Sequence, residues 1–386
     1  MALGRYFADR QIAPHSIAPA MATPLRFGDP CAEHLATRRA AGLFDFSFMT
    51  CLSIRGAQSA DFLERIQVRS ARNLPPGQIA YTILCREDGT VIDDATLWRH
   101  GADDYWLFVG LGIDRNQIDR IAAAYAVDVV VRSTRQCILS IQGPASFRIL
   151  QEALPGGSFA ALGYYRFCRM DWSGNALWAA RLGDGGELGY ELVVNAECGP
   201  VLWQHLMSVG ARRGLLECGF AAADTLRIEA GHILFSRPLA ATPYELGLGR
   251  LLRRSDLNFI GAEALAAQRF AAPRWRLVGL LPKWLDRDDA PCFEQVVATD
   301  APGQLHSLQR GMAQLHCACV SPVLGRDIAL GFVVEEDRHP GTLVTLSNRR
   351  TAEVARIPFY DPLKMRPRVA PTKSIFELSH PPATIR

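Results

Sequence analysis

The stretch "GTVIDDATLW" (89–98) sets two carboxylates, Asp93 and Asp94, inside a run that otherwise favours a sheet. Aspartate is among the poorest strand formers, so a strand here needs a reason for both acids. Successive side chains on a strand point to opposite faces. Asp93 therefore shares a face with Val91, Ala95 and Leu97, and Asp94 shares one with Ile92, Thr96 and Trp98. Whichever face packs, one carboxylate goes with it.

Outward from this segment, "TCLSIRG" (50–56) and "DYWLFVGLG" (104–112) read as strands, and "SADFLERIQ" (59–67) carries apolar residues at helical spacing. "DRNQIDRIAAAYA" (114–126) is a helix, and "VDVVVRS" (127–133) and "CILSIQGP" (137–144) are strands. Some neighbouring strands are joined directly and others by single helices, which predicts an α+β fold with helices on one side of the sheet. A second round follows: a hairpin in "NALWAARLGDGGELGYELVV" (175–194), a helix in "CGPVLWQHLMSVGARRG" (198–214), and a helix with the start of a strand in "FAAADTLRIEAGHILF" (220–235). Upstream, "CAEHLATRRAAGLFDFS" (31–47) turns helical and stops at Gly42, while residues 1–30, rich in Pro and Ala without period, read as an extended arm. Beyond about 275, short alternating runs punctuated by Gly, Pro, Asp and Asn predict an all-β module, a small barrel or sandwich. The expected division is an arm over 1–30, an α+β region over 31–274, the β module over 275–370 and a surface tail over 371–386.

The chain of 386 residues is 49% hydrophobic and 21% charged, which is globular composition. A net charge of +3 is far from the concentrated basic surface that nucleic-acid binding needs. The longest apolar run, "YWLFVGLGI" (105–113), is about half a membrane span, and the charged N-terminus is no signal peptide, so a soluble cytoplasmic protein is expected. Ten scattered cysteines without a C-x-x-C pair read as reduced thiols. "HCAC" (316–319) lacks a second ligand cluster, so it reads as a strand with one cysteine buried and no metal is expected. Neither a G-x-G-x-x-G opening a helix nor a P-loop is present. Glu191 follows Tyr190 into the apolar run "LVV", where a carboxylate either pairs with an Arg or accepts two hydrogen bonds from an amino-pyrimidine edge. Arg227 and Glu229 in "DTLRIEAG" (224–231) read as local ion pairs.

Eight blocks in order, "EHLATRRAAGLFDFSFM" (33–49), "GQIAYTILCREDGTVIDD" (77–94), "SIQGP" (140–144), "GGELGYE" (185–191), "DTLRIEAG", "NFIGAEAL" (258–265), "SPVLGRDIALGFV" (321–333) and "IPFYDP" (357–362), resemble the aminomethyltransferase family typified by the glycine-cleavage T-protein. The resemblance implies a three-lobed fold around a central tetrahydrofolate site, with the β module as third lobe, and transfer of a one-carbon unit to the folate. It places Asp94 near the reacting folate nitrogens, Glu191 on the pterin with Tyr190 beside it, and Tyr81 and Met49 in the folate pocket; Trp98 and Tyr81 offer flat surface to the pterin. The C1 donor would be a small methylated or aminomethylated compound, with a separate dehydrogenase or a carrier protein as partner. Against the family pattern, Phe48 stands for a His, Ala223 for an Arg, Gly110 for an Asn, and Asp184-Gly185 for Tyr-Thr. Two alternatives stay open: a non-catalytic folate-binding regulatory protein, and a paralogue whose pocket has changed ligand.

Overall fold

The computed structural model describes residues 3–18, 21–110, 114–235, 239–252, 258–283, 308–347 and 349–370. In chain order, α1 (Gly4–Asp9) leads to a hairpin of β1 (Pro14–Ala18) and β2 (Met21–Pro24), then α2 (Pro30–Arg39), β3 (Ala41–Asp45), β4 (Thr50–Arg55) and α3 (Ser59–Ile66). Next come β5 (Ile79–Cys85), β6 (Val91–Arg99), β7 (Asp104–Val109), α4 (Arg115–Ala122), β8 (Asp128–Val131), β9 (Gln136–Gln142) and α5 (Ser146–Ala153). Then follow β10 (Phe167–Trp172), β11 (Asn175–Ala180), β12 (Gly189–Asn195), α6 (Gly199–Gly210), β13 (Leu215–Glu217), α7 (Phe220–Glu229) and α8 (Ala262–Gln268). The last lobe holds β14 (Trp275–Pro282), β15 (Met312–Ser321), β16 (Arg326–Val334), β17 (Leu343–Leu346) and β18 (Thr351–Ala355).

Two sheets carry the α+β region, one ordered β10-β11-β12-β9-β3-β13 and the other β5-β6-β7-β4-β8. Each packs helices on its outer face. Leu139, Ile141, Tyr190 and Leu192 of the first sheet join Leu150 of α5 and Trp203 of α6 in one core. Ala95, Leu97 and Leu107 of the second sheet join Phe62 of α3 and Ile118 of α4 in another. The inner faces meet: Ile79, Trp98 and Phe108 pack with Ile138, Ala180 and Val193. The third lobe closes into a barrel, β14-β16-β15-β17-β18, with β18 returning to β14. A further core joins it to Ile228 of α7, Leu265 of α8 and Ile83 and Val91 at the ends of β5 and β6.

Four local expectations are corrected. The N-terminal segment is no extended arm, because Leu3 and Phe7 are fully buried against Trp203 and wind α1 onto the first core. The helix of 31–47 ends at Arg39, and Gly42 lies inside β3, where a Cβ would come within 2.3 Å of Thr37 Oγ1; glycine there lets α2 pack directly on its own following strand. No strand follows α7 within 220–235. In β15 both Cys317 and Cys319 are buried, since a register shift between Leu315 and Cys317 turns both from the barrel interior toward α7. The tail over 371–386 lies outside the described residues.

The lobes are tied by one buried ionic cluster. Arg38 of α2, with 3% of its side chain exposed, donates from Nε and Nη2 to Glu229 Oε2 of α7 at 3.0 and 2.8 Å. Its Nη1 donates to the Gly185 carbonyl at 2.6 Å and to Glu187 at 3.2 Å, and its guanidinium stacks on Tyr360 at 3.9 Å. Glu229 accepts a further hydrogen bond from Ser321 at the end of β15, while Arg366 closes on the other oxygen of Glu187 at 2.9 Å. Despite burial, the Arg38 charge and these donors hold the Glu229 carboxyl down at about 2.

Glu229→Gln removes the nearer of the two counter-charges of a fully buried guanidinium, which should cost roughly 3–5 kcal/mol of stability. A carboxyl depressed from 4.5 to about 2 contributes stability that is complete above 4.5 and lost as pH falls toward 2, so the variant's stability should also vary less across that acid window. Urea unfolding at neutral pH and down the acid limb reads both; a loss under 1 kcal/mol would deny the cluster its role.

Candidate functional site between the two sheets

On β6 the alternation is resolved in favour of one acid per face. Val91, Asp93, Ala95 and Leu97 are buried, whereas Ile92, Asp94 and Thr96 keep partial exposure. Asp94 points to the inner side, sharing it with Trp98 and with Tyr81, whose strand β5 pairs Tyr81 with Thr96. Asp93 is 1% exposed on the outer side, where its Oδ1 accepts the Asp94 backbone N–H at 2.9 Å. It lies mid-sheet rather than at a turn or edge, and a Cβ at Gly110 would come within 3.0 Å of both its oxygens.

From the opposing sheet β12 presents Glu191. Its neighbour Val193 packs between the sheets, so Glu191 also faces inward, and it is 5% exposed. Among the described residues no hydrogen bond reaches its carboxylate, and no Arg pairs with it. Burial, aided by the charge of Asp184, pushes it up to about 8. Asp94 is likewise raised well above the usual carboxylate range by burial and then by Asp93 and Asp184, while the Tyr81 hydroxyl donates to it. Burial raises Tyr81 as well, so its ring stays neutral and its proton stays on.

The remaining predicted residues divide. Met49, half-buried, packs against the inter-sheet core together with Phe46 and Tyr165. Tyr190 does not share the site: alternation along β12 sends it to the outer face, 0% exposed, edge-on to Phe159 at 5.8 Å. Trp98 is also 0% exposed, sealed between Phe108 and Phe167 at 4.7 and 5.0 Å, so it builds the floor and offers no open ring face. One residue that the motifs did not single out for the site, Tyr165, joins it, and Asp184 lies on a neighbouring turn. Tyr165, held at φ 58° and raised by burial, senses Asp94, Asp184 and Glu191; Asp184 sits on the β11–β12 turn with its carboxylate 3.0 Å from His232 Nδ1. Of the ions in "DTLRIEAG", Arg227 pairs locally with Asp224 at 2.5 Å, but Glu229 serves Arg38 instead.

Facing carboxylates without cationic partners can bind N–H donors, orient a nitrogen, or hold a proton. Comparison with known proteins agrees in outline. The GCVT N-terminal domain model matches residues 14–255. The chain belongs to that family. An aminomethyltransferase of Streptomyces coelicolor is 34% identical over 350 residues, covering 87% of this chain and 91% of that one. Another from Moorella thermoacetica is 33% identical over 346 residues, with 87% and 91% covered. In fold, the chain is similar to the crystal structure of glycine cleavage system aminomethyltransferase T from Bartonella henselae, with TM-score 0.80, 23% identity and 94% and 98% of the two chains covered.

The two faces of β12 predict opposite mutational behaviour. The Tyr190 hydroxyl is buried without a partner among the described residues, so Tyr190→Phe should leave stability unchanged or raise it by up to about 1 kcal/mol. Ligand binding in the inter-sheet site should not respond to it. Thermal unfolding and a ligand titration on the same variant check both, and lost binding would put Tyr190 back in the site.

Proposed function

We propose that this protein is a tetrahydrofolate-dependent transferase that takes a one-carbon unit, methyl or methylene, from a small methylated or aminomethylated donor. The observation that carries the reading is Glu191, an almost fully buried carboxylate with no hydrogen-bond partner among the described residues, facing a second acid on the opposite sheet. Such a group is costly unless a ligand supplies donors. The amino-pyrimidine edge of a reduced pterin offers two adjacent N–H groups, the pattern that satisfies both oxygens of one carboxylate. The name aminomethyltransferase, borne by the relatives, is one-carbon chemistry of this type.

When bound, tetrahydrofolate supplies the nitrogen that receives the one-carbon unit. Within this chain Glu191 fixes the pterin's orientation, and Asp94 orients the reacting amine and holds the proton it gives up. The ionised form of Asp94 is the one that takes this proton, and the hydrogen bond from Tyr81 favours that form against the burial that opposes it. Tyr81 donates to Asp94 and fixes its rotamer, and Met49 supplies apolar contact beside them. The donor is a small molecule or an aminomethyl group on a carrier protein, and oxidation of a methyl donor to the methylene level falls to a separate dehydrogenase. Among the described residues no helix is long and apolar enough to cross a membrane, and the cytoplasm is the compartment this reading assigns.

Glu191→Gln should weaken tetrahydrofolate tenfold or more, the equivalent of roughly 1.5–3 kcal/mol for a charge-assisted contact. Asp94→Asn should keep binding and lose turnover, and unchanged turnover would remove Asp94 from the mechanism. Because the N–H donors need the carboxylate anion while free Glu191 holds its proton up to about 8, wild-type affinity should climb with pH below that value and level off above it. Calorimetry in buffers of different ionisation enthalpy should register close to one proton released per folate bound at neutral pH, and Glu191→Gln should abolish that release.

A further inference from the structure

Register fixes a row of side chains across the first sheet. Ala180 of β11 pairs with Glu191 of β12, Glu191 with Ser140 of β9, and Ser140 with Phe44 of β3. Residues directly opposite one another on antiparallel strands point to the same face. Phe44 therefore shares the inner face with Glu191, two strand spacings or about 10 Å away.

From Phe44 a series of rings continues. Phe44 lies 5.9 Å from Phe46, Phe46 lies 5.6 Å from Phe48, and Phe48 lies 6.1 Å from Phe220 of α7, centroid to centroid. These are the separations of tilted and edge-on ring contacts. Phe44 is 2% exposed and forms the base of the series, packed with Cys218, Ala222 and Leu226. Phe46, Phe48 and Phe220 are half-buried, as is Ala223, which packs with Phe46 on that same base. Phe46 also packs against the inter-sheet core, as Met49 and Tyr165 do, and its amide donates to the Ile138 carbonyl of β9 at 2.9 Å. The rings are thus one wall of the inter-sheet space by direct contact, running from the row of Glu191 to α7.

Ala223 follows Phe220 by three residues, so the two share a face of α7. Positions 48 and 223, where the motifs otherwise carry a His and an Arg, come together on this wall through Phe46 and Phe220, and both are apolar in this chain. Covering half-exposed rings with another flat apolar group removes their faces from water and adds ring contacts, whereas a charged or well-solvated group gains nothing there.

Resting on the folate reading above, we propose that Phe46, Phe48 and Phe220, with Ala223 beside them, form the subsite for the body of the one-carbon donor, and that this body is a flat apolar ring rather than a charged or acyclic group. Glu191 anchors the pterin edge, and the wall begins beyond Ser140 on the next strand, which leaves it to the second molecule.

The test uses the full chain with tetrahydrofolate present and, as probes, methoxybenzene and methoxyethanol, read by saturation-transfer NMR. Methoxybenzene should bind saturably beside folate and about tenfold or more tighter than methoxyethanol. Phe48→Ala should weaken methoxybenzene about tenfold, as should Ala223→Arg, which sets a guanidinium against the rings, while Phe48→Tyr retains it. Tetrahydrofolate affinity and melting temperature should not fall in Ala223→Arg, so the test stands even where Phe48→Ala folds poorly. Equal binding of the two probes, undiminished methoxybenzene binding to Ala223→Arg, or displacement of methoxybenzene by tetrahydrofolate would overturn the proposal. Titration of tetrahydrofolate alone separates the two claims: methoxybenzene that binds in a Phe48-dependent way to a protein that ignores folate would sink the folate reading and leave the aromatic subsite standing.

Discussion

A guanidinium buried to 3% exposure can exist only where every donor is met and its charge is countered, and Arg38 is met from four directions. Glu229 comes from α7, Gly185 and Glu187 from the turn that opens β12, and Tyr360 from the segment after the barrel. No one lobe supplies enough partners alone. The cluster therefore fixes how α2, α7, the turn and the barrel sit, and it does so immediately behind the residues that face the space between the sheets. The same turn that gives Gly185 and Glu187 to Arg38 carries Asp184 on its other side and continues into Glu191.

Glutamates in two environments show what separates scaffold from site. Glu229 has a guanidinium, a hydroxyl and an imidazole around it and is held at about 2, so it is an anion at any ordinary pH. Glu191 has none of these among the described residues and is pushed up to about 8. Burial is similar in both; the partners differ. An acid kept unpaired in a packed protein burdens the fold, and such acids gather at functional sites.

Much of this was legible in the sequence. Period-two alternation in "VIDDATLW" divided the aspartates between faces, and the ordered motifs anticipated an α+β pair of layers with a β module after 275. What misled was local pattern without tertiary context. Tyr190 stands next to Glu191 in the motif, yet adjacency on a strand means opposite faces, and the same rule that separated Asp93 from Asp94 separates these two. Trp98 was placed on the correct face but sealed by Phe108 and Phe167, which alternation cannot reveal. The arm at 1–30 hid a helix because Leu3 and Phe7 are its fully buried anchors, with Tyr6 packed beside them, and no period can be read from so few residues. Asp184 looked like turn chemistry in a glycine-rich hairpin, and only the packing of α7 and His232 against that turn shows how it is held. Glu229 sat in a helical pattern suggesting a local pair, whereas its partner lies 191 residues away.

At the centre of the functional reading stands one proton on one carboxyl. Isotope-edited infrared difference spectroscopy at neutral pH, recorded with and without tetrahydrofolate, observes it directly. The predicted result is loss of a protonated carboxyl C=O band and gain of a carboxylate band on folate addition, present in the wild type and absent in Glu191→Gln. An unchanged carboxyl spectrum in the presence of bound folate, or the same change in Glu191→Gln, would contradict it.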